Sequence, residues 1–306
     1  MAEPTPARDA PMPGPGGDAV PPARPEDEWP AAAAESAEAL DRPAPGFPGL
    51  GGTPPPPPAP VAPGRGGAQR IPRPYSARPG APAPWAHLSP LHRRPTVADV
   101  RAAFVGLGPA RPSPGVLRDG PPRPGRPSAV LAPLYDAPVP GAADGGSEAW
   151  VVLTRRTWTL RSHQGEVSFP GGRVEPGESP LDAARREAFE EIALDPAAVE
   201  VVGQLDHLAT VSSGSDIVPF VGLVPGRPPT RPNPAEVAAV LHVPLSELLD
   251  PTVFREERWT FPDGREQPIM FFELVGDTVW GATAALLRQL LGLVTGTLGR
   301  GDLGHP

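Results

Sequence analysis

The sequence predicts an α+β fold, a mixed β-sheet with helices against its faces, preceded by a long disordered tail rich in proline, alanine and glycine. Three observations predict it. Proline (51 residues) and glycine (35) are far above ordinary use in a chain of 306, and they crowd the first 88 residues. Downstream, apolar runs rich in β-formers alternate irregularly with segments of helical period, without a regular βαβ repeat. Between residues 151 and 194 a glycine pair leads into a helical stretch that gathers three glutamates.

In residues 1 to 88 the large apolar side chains are scattered, as at Trp29, Phe47 and Trp85. Such a segment buries too little surface to offset an ordering entropy of about 1–2 kcal/mol per residue. Within it, Ala31 to Leu40 could form a transient helix, and Pro54 to Pro58 could serve as a polyproline ligand. Composition favours the plainer alternative, a solvated extended tail whose partner is unknown. The ordered domain is expected over residues 89–300, with its core at about 125–294 and a flexible end at 301–306.

Thr96 can cap a helix in which Val97, Val100, Phe104 and Leu107 recur at helical spacing. Ala129 to Asp136 and Ala149 to Arg156 read as strands, and Pro133 argues that the first lies at an edge or is bent. Val199 to Val211 reads as a strand pair or a long bent strand, and Asp216 to Val224 as a buried one. Asp263-Gly264 is a hairpin turn, and Gly281 to Val294 is a terminal helix interrupted only by Arg288.

Absences narrow the chemistry. The chain has no cysteine and no lysine, which removes disulfides, thiolate metal sites, cysteine nucleophiles, Walker-A lysines and Schiff bases. A formal charge of −8 is not the basic footprint of a nucleic-acid binder. No leader pattern and no apolar run of about 18 residues is present, so the expectation is a cytoplasmic protein with no membrane partner.

In the central stretch, Ser179 suits an N-cap, Pro180 the first helical position and Asp182 the acid of a capping box. Leu181, Ala184, Ala188 and Ile192 form an apolar stripe, and Glu187, Glu190 and Glu191 are assigned to an arc on another side. Each like-charge pair at i,i+3 or i,i+4 costs a helix about 0.2–0.5 kcal/mol. Three glutamates so placed work against the helix unless a cation sits among them. Glu178 and Arg186 could pair across the junction of loop and helix, and Gly171 and Gly172 let backbone approach a ligand.

From Gly172 the chain reads glycine, five residues, Glu178, seven residues, Arg186-Glu187, two residues, Glu190-Glu191, one residue, Ala193-Leu194. This resembles the signature of the Nudix hydrolases. Two positions depart from it: Ala193 stands where glycine is usual, and Ala188 where a bulky aliphatic is. If Ala193 took a positive φ it would be strained by about 1 kcal/mol, so the helix exit is expected to differ from the family's. Upstream, Val152-Leu153-Thr154, Arg156, Arg161, His163, Gly165 and Phe169-Pro170-Gly171-Gly172 resemble the coenzyme A pyrophosphatase branch. Glu166 stands where that branch often has glutamine. Pro232-Asn233-Pro234-x-Glu236-Val237, Val243-Pro244-Leu245 and Trp280-Gly281-x-Thr283-Ala284 resemble it too.

The resemblance implies a Nudix-type α/β/α sandwich that hydrolyses a nucleoside diphosphate derivative with Mg²⁺ or Mn²⁺, coenzyme A being the favoured small-molecule substrate. It implies Glu187, Glu190 and Glu191 as catalytic metal ligands, with Glu236 as a further acid or base. Hard divalent cations do prefer carboxylate oxygens. Arg156, Arg161, His163, Gly171 and Gly172 are the candidate substrate-binding residues, since arginine suits phosphate. Two alternatives stand beside this reading: a Nudix pyrophosphatase for ADP-ribose, NADH or a damaged nucleotide, and a non-catalytic Nudix scaffold with an interaction tail. The complete acidic set argues against the scaffold. The absence of cysteine argues against the related isoprenoid isomerases.

Overall fold

The computed structural model describes residue 1 and residues 63–72, 74, 76–113, 125–139, 146–160, 162–210, 213–261 and 264–303. The expectations for Ala31 to Leu40, Pro54 to Pro58, Arg161, Val211, Asp263 and residues 304–306 lie outside the described residues. Residues 301–303, expected to be a flexible end, are held instead: the Gly301 N–H donates to Asp206, the Asp302 carbonyl accepts from Arg288, and Leu303 is buried.

The centre is a mixed sheet. Strands β2 (Arg126–Pro138) and β3 (Ser147–Arg156) pair antiparallel, β1 being Ser76–Pro79 of a second sheet. A short strand β4 (Gly171–Arg173) pairs with the start of β2. Beyond it come β5 (Glu200–Gln204), β6 (Ser215–Leu223) and β7 (Val237–Pro244). The main order is β7-β3-β2-β6-β5, with β2 and β6 parallel and the other pairs antiparallel.

Alternation along the strands divides the core. Ala129, Leu131 and Tyr135 of β2 and Val152 of β3 face helix α2 (Pro180–Ile192) through Ala183, Ala184, Ala188 and Ile192. Ala132 and Leu134, with Ala149, Val151 and Leu153, belong to the core on the other side. That side is completed by α1 (Val97–Phe104), the one-turn α3 (Leu245–Leu248) and α4 (Gly281–Thr295). It also receives Phe254, Met270 and Phe272 from the second sheet, in which β8 (Phe254–Thr260) and β9 (Glu266–Glu273) lie between β1 and β10 (Thr278–Trp280). Helices against both faces of a mixed sheet are the α+β architecture the patterning predicts.

Several boundaries follow local chemistry. Thr96 caps α1 in a reciprocal capping box with Asp99, but the helix stops at Phe104, short of Leu107. The segment after α2 is broken: β5 carries a bulge between Val201 and Gly203, and Leu208–Ala209 pairs separately with β6.

Of the two alternatives for Pro133, the edge position is overturned. Pro133 lies in the interior of the sheet, opposite Gly222 of β6, not on an edge. Its missing N–H points to the other side, where β2 pairs with β4 through Val130 and with β3 only from Leu134 onward. Proline therefore occupies the step at which the strand changes partner, and no ladder bond is lost.

The composition boundary at Ser89 also differs from the structure. Gly66–Gly67 pairs parallel with Val275–Gly276, and β1 pairs antiparallel with β8 from Thr260 to Glu257. Trp85 is fully buried against Phe254 and Phe272. Strand addition needs backbone N–H and C=O groups rather than apolar side chains, so composition does not register it.

Candidate active site

The site lies where the end of β3, the strand β4 and the helix α2 meet. Ser179 accepts the Asp182 N–H as the N-cap, and Pro180 opens the helix, as the sequence predicts. The helix is held to β4 by Arg186. Its guanidinium pairs with both carboxylate oxygens of Glu178 (2.9 and 3.1 Å), reaches the Arg173 carbonyl at 3.0 Å, and shares Nη1 between Glu187 and Glu190, each at 3.0 Å. This fork offsets the repulsion among the acids and confirms the Glu178 to Arg186 pairing.

The three glutamates do not share one exposed arc. Glu187 and Glu190 are partly exposed, but Glu191 is 4% exposed and turned toward the sheet. It lies over the face of Ala184 and Ala188, whose small side chains let the helix approach β4 closely. There the Gly171 N–H donates to Glu191 Oε2 at 3.2 Å. A Cβ on Gly172 would fall inside van der Waals contact with the Glu187 carboxylate. Gly172 is thus needed for close approach of backbone to acid, and Gly171 for close approach to β2, where a Cβ would meet the Ala129 carbonyl and Val130.

Glu236 is brought to the same place. The buried Asn233 accepts the Ala235 N–H on its side chain and the Glu236 N–H on its carbonyl, making the turn. The Thr157 N–H donates to the Glu236 carbonyl at 2.8 Å, which fixes that turn to the end of β3. Burial pushes the Glu187 carboxyl up to about 7 against the pull of Arg186, with Glu190 and Glu236 adding to the rise. Burial pushes Glu191 up to about 8; Glu187 and Glu236 reinforce this, while Arg156 and the Gly171 N–H oppose it.

Arg156 faces both Glu191 and His163 electrostatically, and its Nε is buried without a hydrogen-bond partner. His163 is exposed, sits at φ 53°, and its Nδ1 lies 2.8 Å from Glu166 Oε2. That hydrogen bond raises the imidazole pKa above its ordinary value, against the partial desolvation of the ring and the charge of Arg156. Glutamate rather than glutamine at 166 therefore does alter the local charge. Arg161 lies outside the described residues.

Ala193 takes φ 55° and ψ 30°, with its N–H bonded to the carbonyls of Ala188 and Phe189. The helix exit is left-handed although no glycine stands there, and the expected change of geometry is replaced by a strained alanine. The next loop seals the end of the helix, since the Arg231 and Asn233 amides bond to the carbonyls of Ile192 and Glu191.

Among the described residues no three His, Asp or Glu side chains already form a metal cage. The donor set nevertheless fits a hard divalent cation. Glu187 and Glu191 are carboxylates whose burial favours protonation, and a cation can replace those protons. Mg²⁺ is commonly held by one or two carboxylates completed by substrate phosphates and water, which needs no preformed cage.

Comparisons with known proteins point to one family. The family model described as NUDIX domain matches residues 130–268. The chain is 38% identical over 170 residues to the Uncharacterized Nudix hydrolase NudL of Photorhabdus laumondii, covering 54% of this chain and 83% of that protein. It is 36% identical over 167 residues to the Uncharacterized Nudix hydrolase NudL of Escherichia coli K12, covering 54% and 81%. Among solved structures, a Nudix hydrolase from M. smegmatis, RenU, aligns at 23% identity and a TM-score of 0.32, covering 45% of this chain and 79% of that one. The chain belongs to the Nudix hydrolase family. It is accordingly a hydrolase of the phosphoric anhydride in a nucleoside diphosphate derivative, in a family that generally uses divalent metal ions. No described helix is long and apolar enough to cross a membrane.

Two contributors to this region carry little signal in sequence. Arg155 pairs with Asp277 at 3.2 Å, and Gln69 reaches both Asp277 and the Gly165 carbonyl. Asp277 sits in an ordinary turn sequence, and Gln69 in a segment whose composition reads as tail.

Proposed function

We propose that the chain hydrolyses the diphosphate of coenzyme A or an acyl derivative, giving 3′,5′-ADP and 4′-phosphopantetheine or its acyl form. One observation carries the reading. The segment Val152 to Gly172, which resembles the coenzyme A branch, runs from the end of β3 to β4 and sets Arg156 and the glycine pair against the acidic helix.

In this reading Glu187, Glu190 and Glu191 hold Mg²⁺ or Mn²⁺, which when bound neutralises diphosphate charge and acidifies an attacking water. The Gly171-Gly172 backbone lets the diphosphate come close to α2. Arg156 binds phosphate charge, and His163, protonated more readily because of Glu166, adds to it. Arg161 belongs to the same basic set by sequence. Glu236, which interacts electrostatically with Glu187 and Glu191, takes the proton of the attacking water. The water oxygen bonds to one phosphorus as the bridging P–O bond breaks, and the leaving phosphate carries the electron pair away.

The test is a panel of coenzyme A, acetyl-coenzyme A, ADP-ribose and NADH with Mg²⁺ or Mn²⁺, the products identified by mass. Coenzyme A and its acyl form should be consumed fastest, and Glu190→Gln should lower the rate at least about a hundredfold, the scale expected from losing several kcal/mol of charge stabilisation. Faster turnover of ADP-ribose or NADH would overturn the substrate, and an unchanged rate in the variant would overturn the ligand assignment.

A further inference from the structure

The polar groups behind the substrate segment form a closed ring. Gln69 is 9% exposed, and its Nε2 donates to the Gly165 carbonyl at 3.1 Å and to Asp277 Oδ1 at 2.8 Å. Its Oε1 accepts the Thr278 N–H at 2.9 Å. Asp277, 4% exposed, also accepts from Arg155 Nη1 at 3.2 and 3.3 Å. The neighbouring Arg156 N–H donates to the Glu166 carbonyl at 2.9 Å, which returns the ring to the turn holding Gly165. That turn closes on itself through the Glu166 N–H and the His163 carbonyl at 3.2 Å.

The segment around Gln69 is shaped for this contact. Gly66 N–H bonds to the Leu274 carbonyl and Gly67 N–H to Thr278 Oγ1, while a Cβ on Gly67 would collide with Gln69 Oε1 and the Gly276 carbonyl. A buried amide with both ends satisfied fixes the groups it joins, because breaking any one bond leaves a desolvated polar atom unpaired.

We propose that Gln69 is a positioning residue for the substrate-binding turn His163–Glu166 and, through Asp277 and Arg155, for the end of β3 that carries Arg156. The inference rests on the reading of that turn as part of the substrate site. The hydrogen bonds of Gln69 go to Gly165, Asp277 and Thr278, not to the glutamates of α2 or to Glu236. Its effect is to hold Arg156 and His163 at one separation, so that both meet the same phosphate-bearing ligand without reordering on binding.

The test uses the full chain with Gln69→Met, which keeps the volume and removes the amide. Hydrogen exchange at the Glu166 and Arg156 amides should accelerate about tenfold while that of Leu131 in the central sheet stays unchanged. KM for coenzyme A should rise about tenfold with kcat within about threefold. If the variant fails to fold, Gln69→Asn, which keeps the amide but is one methylene too short to span Gly165 and Asp277, decides by the same readouts. Unchanged exchange at Glu166 overturns the proposal, and so does faster exchange with unchanged KM, which would mark a merely structural contact. A wild-type chain that hydrolyses no substrate of the panel overturns the functional reading instead, and unchanged exchange at Glu166 would still overturn the holding of the turn by Gln69.

Discussion

Removing residues before Ser89 should destabilise the domain strongly, because Trp85 is a core residue. Its indole lies edge-on to Phe254 at 5.4 Å between ring centroids and stacks on Phe272 at 6.2 Å, with no exposed surface. Truncating a buried tryptophan to alanine costs about 3–5 kcal/mol. Its Nε1 has no hydrogen-bond partner, so no polar contact is lost with it, and about 4 kcal/mol is the working figure for Trp85→Ala. At about 2–4 °C per kcal/mol for a domain of this size, Tm should fall by about 8–16 °C. A chain beginning at Ser89 should fall further, since it also loses β1 and the Gln69 contacts. Thermal melts followed by far-ultraviolet circular dichroism would compare the full chain, Trp85→Ala and chains beginning at Pro63 and at Ser89. If the chain beginning at Ser89 melted within about 2 °C of the one beginning at Pro63, the reasoning would be refuted.

Two smaller predictions concern single residues. Ala193→Gly removes a left-handed strain of about 1–2 kcal/mol and adds about 0.4–1 kcal/mol of unfolded-state entropy. The variant should therefore be stabilised by about 0.5 kcal/mol in urea denaturation, and a loss above about 1 kcal/mol would show that the methyl packs usefully. Asp206 supplies the pH dependence. Burial would raise its carboxyl, but the Arg111 and Gly301 amides, Gln289 and the charge of Arg300 outweigh this and hold it below the ordinary carboxylate range. A depressed folded value means that its stabilisation is fully present above the unfolded pKa of about 3.9 and is lost as pH falls through the folded value. Melts of wild type and Asp206→Asn should differ most near neutrality and converge as pH falls below about 4; a gap that stayed constant to low pH would exclude this origin.

Local patterns account for the part of the fold and site that is legible in the sequence. The N-cap at Ser179, the cap at Thr96, the two central strands and the pairing of Glu178 with Arg186 depend on residues close in sequence, and each appears where the pattern puts it; the reciprocal capping box forms at Thr96 with Asp99, while at Ser179 the Asp182 carboxylate accepts from the serine hydroxyl. The spacing of glycines and acids is sufficient to indicate the family, because a helix and the loop before it are one continuous segment. Periodicity puts Glu191 beside the apolar stripe, next to Ala184, but does not say that it is buried, since that depends on how near α2 comes to β4.

The rest is decided by contacts between distant segments. Pro133 sits inside the sheet because β2 exchanges β4 for β3 beside it, a fact of strand order that no window of residues contains. Gln69 and Trp85 belong to the domain because the Asp277–Thr278 turn and a pair of aromatic rings, all distant in sequence, receive them. Chain composition measures how much apolar surface a segment can bury by its own side chains; it does not measure the backbone pairing and the few buried groups that a preformed sheet can accept.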